Sequence, residues 1–182
     1  RMNLSMNKEG ISKNIVLIGM SGSGKTAVGH FLSKKLNMKL IDTDDIIMLN
    51  SKKTIPYIFS EYGEKYFRGL EGNVIKNLSS KTGLIISTGG GVVLNKKNIH
   101  LLKKKGILFF LEASIETLAK NVELSSQTHR PLLENSRNLE DRIRNIYKKR
   151  EKLYVSSADY IVDVDNKSVE EIGKEIIYIL NK

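Results

Sequence analysis

The chain has 182 residues and 40% apolar content, enough for one ordinary domain with a real core and too much for wholesale disorder. It has no cysteine, which removes disulfides, thiolate zinc sites and cysteine nucleophiles together, and the expected location is a reducing cytoplasm. The net charge of +10 comes with scattered Lys clusters that no aromatics interleave, so it reads as a Lys-rich surface favouring small anions, and no nucleic-acid partner is expected.

Residues 1–13, RMNLSMNKEGISK, lack the apolar stretch of a secretory signal, and the Arg ahead of Met2 reads as an expression remnant. They are expected to be flexible and outside a single domain spanning 14–182. No apolar run reaches the roughly 18 residues that cross a bilayer, so no membrane partner is expected. From residue 14 onward, β-rich runs at 14–18, 39–42, 84–88, 107–111 and 160–164 alternate with helical spacing. The helical segments are 25–36, 64–78, 95–104, 114–122, 138–154 and 168–180. Such alternation implies parallel strands joined by right-handed crossovers, and the nearly continuous apolar strands imply a sheet covered on both faces. The stretch from 44 to 81 is longer than a crossover needs, and the polar stretch 123–138 has little apolar periodicity and reads as a mobile lid.

The first run leads into GMSGSGKTAVG, residues 19–29. Gly19-x-x-x-x-Gly24-Lys25-Thr26 matches the phosphate loop at every fixed position and lies between an expected strand and an expected helix. Glycines let successive N–H groups curl around an anion, Lys25 can reach the β- and γ-phosphates, and the Thr26 hydroxyl can ligand Mg²⁺. The ATP-binding set read here is Gly22, Ser23, Gly24, Lys25, Thr26 and Ala27. A GTPase base-recognition sequence, Asn-Lys-x-Asp after a strand, is absent, and the chain is short for a helicase or transporter core. Small kinases of the nucleoside-monophosphate-kinase type remain.

The second strand ends in Asp42-Thr43-Asp44-Asp45. Read as extended chain, Asp42 and Asp44 face one side, one carboxylate toward Mg²⁺ and the other toward an acceptor; the plainer reading is an N-capping Asp. The third strand ends without an acid, which makes Asp42 the available metal-side carboxylate. In FRGLE, Arg68 and Glu71 stand three apart on a helix, either as a surface ion pair or as an Arg held ready to fork a substrate carboxylate. Thr88 is followed by Gly89, Gly90 and Gly91, which allow close backbone approach to a ligand at a strand's C-terminal end.

Taken together, GMSGSGKTAVG, DTD, IFSEYGEKYFRGLE, ISTGGGVV, RPLL and REKLY resemble the shikimate kinase family, in order and spacing, over nearly all the chain from residue 14. The resemblance implies a three-layer α/β P-loop kinase with a five-stranded parallel sheet flanked by helices. It also implies transfer of the ATP γ-phosphoryl to the 3-hydroxyl of shikimate, with Mg²⁺. On that pattern Lys25, Asp44 and Arg130 are catalytic, and Thr26 and Asp42 lie on the metal side. Asp44, Arg68, Gly89, Gly90, Gly91 and Arg150 bind shikimate, with Arg68 and Arg150 on its carboxylate. The acceptor region is expected at about 43–81 and the lid at about 123–137. Lys120 stands where the family carries an Arg flanking adenine, and the segment from there to Arg130 is a little long. An adenine loop is expected near 165–166, and the three histidines read as structural or surface residues. The expected partners are ATP, ADP and shikimate, acting on a monomer. The competing readings are a gluconate-type sugar-acid kinase and a nucleic-acid or regulatory binding protein.

Overall fold

The computed structural model describes residues 12–126 and 136–182. Residues 1–11 of the expected N-terminal segment, and with them most of that expectation, lie outside the described residues. In chain order the elements are β1 (Asn14–Ile18), α1 (Lys25–Leu36), β2 (Lys39–Asp42), α2 (Thr43–Ser51), α3 (Ile55–Leu78) and β3 (Leu84–Ser87). A single 3₁₀ turn at Val92–Leu94 leads to α4 (Lys96–Lys105), then β4 (Gly106–Glu112), α5 (Ile115–Ser126), α6 (Ser136–Ser157), β5 (Tyr160–Asp163) and α7 (Val169–Leu180).

The strands form one five-stranded sheet in the order β2-β3-β1-β4-β5, with every described pairing parallel. Every residue of β1 is buried, as a central strand covered on both faces requires. Burying one aliphatic side chain of this kind stabilises by roughly 1.5–3 kcal/mol. Register is also pinned by a polar device: buried Asn14 donates to the Lys81 carbonyl and accepts from the Leu84 N–H, both at 2.9 Å. That locks the start of β1 against the start of β3. The C-terminal ends of β1, β2 and β3 therefore open along one edge, where ligands of open α/β sheets bind. No helix among the described residues is long and apolar enough to cross a membrane.

Three expectations need correction. The extended chain does not continue to Asp44: β2 stops at Asp42, and α2 begins at once because the Asp42 carboxylate caps the N–H groups of Asp44 and Asp45. The helix expected from residue 64 starts at Ile55, where the Thr54 hydroxyl caps it, and breaks at Gly63, whose φ is 81°. The first segment shows no apolar stripe because Tyr57 and Tyr62 are about half exposed. Finally, α5 runs on to Ser126 and α6 begins at Ser136, so both margins of the expected lid are helical. Extending a nucleated helix adds one hydrogen bond per residue, even through polar ELSS. The rest of that lid, residues 127–135, lies outside the described residues.

Candidate active site

The phosphate loop leaves β1 through backbone that only glycine adopts readily, with φ of 146°, 90° and 88° at Gly19, Gly22 and Gly24. Gly24 occupies the N-cap of α1 and offers no side-chain cap, so the first-turn N–H groups of that helix are left to an anion. The Lys25 ammonium is buried and donates to the carbonyls of Gly19 and Met20, both at 2.8 Å. Burial pulls its pKa down to about 8, against the attraction of Asp44 and Asp42 and with a push from Arg150. Beside it the Thr26 hydroxyl donates to Asp42 Oδ2 at 3.1 Å, while Asp42 Oδ1 is the cap of α2. Asp42 thus caps α2 with one oxygen and faces the phosphate loop with the other.

Across the cleft, Asp44 sits in the first turn of α2, partly buried. Burial first, then the neighbouring Asp42 charge, raises its pKa, with Lys25 and Arg68 opposing. Glu71 on α3 is fully buried, and its pKa is also raised by burial despite the adjacent Arg68. Arg68 Nη1 donates to Glu71 Oε1 at 2.9 Å and the guanidinium reaches Glu64 Oε1 on its outer side. A pair with one fully buried member is no surface ion pair. Asp44 Oδ1 and Glu71 Oε2, both buried without a hydrogen-bond partner among the described residues, converge on Gly89. A Cβ there would stand 2.9 Å from the first and 3.2 Å from the second. At Gly91 a Cβ would collide with the Arg68 guanidinium, so the glycine run is what lets these charged groups approach the strand end. The Gly89 N–H donates to the Thr43 hydroxyl at 3.1 Å, tying the run to α2. Gly90 lies between Ser21 of the phosphate loop and Arg150 of α6, whose Nη1 would be 3.5 Å from a Cβ at that position.

A cavity of about 470 Å³ is lined on one side by Gly22, Gly24, Lys25, Thr26 and Ala27, and on the other by Asp44, Gly89 and Gly90; Arg68, Gly91 and Arg150 stand behind that second wall and do not line it. Ser23 is buried within the loop and does not line it. Lys120 is exposed on α5 and is not among the lining residues; its neighbour Asn121 is, and it donates to the Gly22 carbonyl at 2.7 Å. Ser125 and Val169 also line the cavity and carried no motif. Helix register was the signal that could have found Asn121. Arg130 lies outside the described residues. Among the described residues no cluster of three or more His, Cys, Asp or Glu could hold a metal by itself.

A family model described as shikimate kinase matches residues 21–181. The chain belongs to the shikimate kinase family. It is 42% identical over 165 residues to the shikimate kinase of Thermodesulfovibrio yellowstonii, covering 91% of this chain and 93% of that one. With the shikimate kinase of Caldicellulosiruptor saccharolyticus the identity is 43% over 167 residues, covering 92% and 95%. A solved structure of shikimate kinase from Acinetobacter baumannii in complex with shikimate superposes with a TM-score of 0.84 at 32% identity, covering 93% of each chain. This breadth makes the chain an enzyme of the family and fixes the fold as that of the P-loop kinases expected from the sequence.

Proposed function

We propose that this protein transfers the γ-phosphoryl group of ATP to the 3-hydroxyl of shikimate, giving shikimate 3-phosphate and ADP. The observation that carries the reading is one cavity with a phosphate loop on one wall and a carboxylate-and-glycine wall, backed by two Arg, on the other. Family membership supports the acceptor, and so does the relative whose structure was solved in complex with shikimate.

Phosphoryl transfer proceeds through a loose transition state, so positioning and charge stabilisation do most of the catalytic work. Lys25 moves from the loop carbonyls onto the phosphates, and the first-turn amides of α1 hold them. Arg68, oriented by buried Glu71, and Arg150 grip the acceptor carboxylate, because a guanidinium forks a carboxylate with two parallel bonds. Asp44 accepts from the acceptor hydroxyls, and its raised pKa suits it to take the proton that the nucleophile loses. Gly89, Gly90 and Gly91 give the acceptor room against the backbone. Arg130 as a donor to the transferring phosphoryl rests on the resemblance of RPLL, and Lys120 at the adenine rests on its position in the family pattern.

An ATP-using kinase of this family works with a divalent metal, and Mg²⁺ is the ion proposed. The Thr26 hydroxyl and Asp42 Oδ2, 3.1 Å apart beside the loop, fit an ion that takes one or two protein ligands and completes its shell with phosphates and water. Bound there, it would neutralise charge on the phosphates.

A coupled ADP-release assay with shikimate, gluconate or no acceptor tests the reading. ADP release that depends on shikimate and is far slower with gluconate is the expected result. Turnover indifferent to shikimate, or equal with gluconate, would refute it.

A further inference from the structure

Tyr154 lies on α6 one helical turn beyond Arg150, and nothing in the mechanism above uses it. It is fully buried, and its ring stacks on Phe110 of β4 with centroids 4.9 Å apart and an interplanar angle of 16°. Packing alone would account for a Phe at this position. The hydroxyl is what needs explaining: it donates to the Gly90 carbonyl, and the Arg150 guanidinium stands beside the same glycine, where its charge acts on the phenol. Burial raises the phenol's pKa, so it keeps its proton and stays a donor.

That one oxygen therefore sits where two parts of the acceptor wall meet, the glycine run and Arg150. A peptide unit is planar and trans, so holding the Gly90 carbonyl toward α6 turns the Gly91 N–H away from it. The same peptide stands between two guanidinium groups, Arg150 beside Gly90 and Arg68 against Gly91. A rotation of this peptide would move the backbone against which both cations rest. Glycine offers little torsional resistance of its own, so an outside anchor has to fix it.

We infer that Tyr154 is a positioning residue for the acceptor: its hydroxyl sets the Arg150 guanidinium and the Gly90–Gly91 peptide in the geometry that receives the shikimate carboxylate. The inference rests on the reading that Arg150 grips that carboxylate. Tyr154 does not line the cavity, and acts through the groups it holds.

The test is Tyr154→Phe, which keeps the ring stack and removes only the hydroxyl, measured beside Arg150→Ala and the double variant. Tyr154→Phe should raise KM for shikimate about tenfold, the scale of one lost buried hydrogen bond, with ATP affinity unchanged. It should also lower Tm by a few degrees, because the buried Gly90 carbonyl loses its donor. If the hydroxyl works through Arg150, the double variant binds shikimate little worse than Arg150→Ala alone. A lower Tm with shikimate KM unchanged, or equal loss of both ligands, would reduce Tyr154 to packing and overturn the proposal. Fully additive losses would overturn its route through Arg150. Arg150→Ala with normal shikimate binding would instead remove the carboxylate reading itself, and the Tyr154 proposal with it.

Discussion

The two walls of the cleft solve opposite problems. On the phosphate wall the charged groups already have protein partners: Lys25 holds two loop carbonyls within six residues of itself, and both oxygens of Asp42 accept hydrogen bonds. On the acceptor wall Asp44 Oδ1 and Glu71 Oε2 are buried without a partner among the described residues, and burial raises the pKa of both carboxyls. The first wall is pre-organised by neighbouring residues. The second gathers side chains from α2, α3 and α6 around a glycine run, and it keeps acceptor oxygens that a hydroxylated ligand can satisfy.

The sharpest way to break this contrast is to remove the phosphate-wall cation. Lys25→Met should lower turnover by about a thousandfold or more while shikimate binding measured without nucleotide stays normal. Loss of shikimate binding in that variant would show that the walls are not separate. On the other wall, Asp44→Asn keeps the size and loses the proton acceptor. Its rate should fall about a hundredfold, with shikimate affinity changed much less. A fall in affinity that matches the fall in rate would make Asp44 a binding group only.

The smallest effect is on pH. The folded pKa of Lys25, about 8, lies below its ordinary value of 10.5, so the folded ligand-free protein gives up this proton first. Holding the buried charge therefore costs stability below about pH 8, and that cost is relieved as pH rises from about 8 to 10.5. Phosphates bind the charged form. ATP affinity should be level below about pH 8 and fall several-fold by about pH 9, with the fall absent in Lys25→Met. Titration calorimetry across this range checks it; a flat profile would mean that Lys25 stays charged throughout.

The same contrast decides how much the sequence could reveal. β1 and α1 were legible to the residue, because the strand is continuously apolar, the helix has one stripe, and the loop between them works through consecutive residues. The acceptor wall was legible only in part. Arg68, Glu71 and the glycine run could be singled out one by one, but what joins them at Gly89 and Gly91 is tertiary. Helix α2 was hidden because its cap, Asp42, is also the strand's last residue, and the first part of α3 because its aromatics face outward. Asn121 belongs to no motif, Tyr154 closes REKLY without a role that the motif reveals, and only the packing of α5 and α6 brings them to the cleft.

The central claim is that each wall binds its own ligand, and Arg68→Lys tests it most directly. The substitution keeps the charge and loses the planar fork. Calorimetric titration with each ligand alone should show shikimate weakened by at least about tenfold, or about 1.4 kcal/mol, with ATP affinity unchanged. Equal weakening of both ligands, or of neither, would contradict the account.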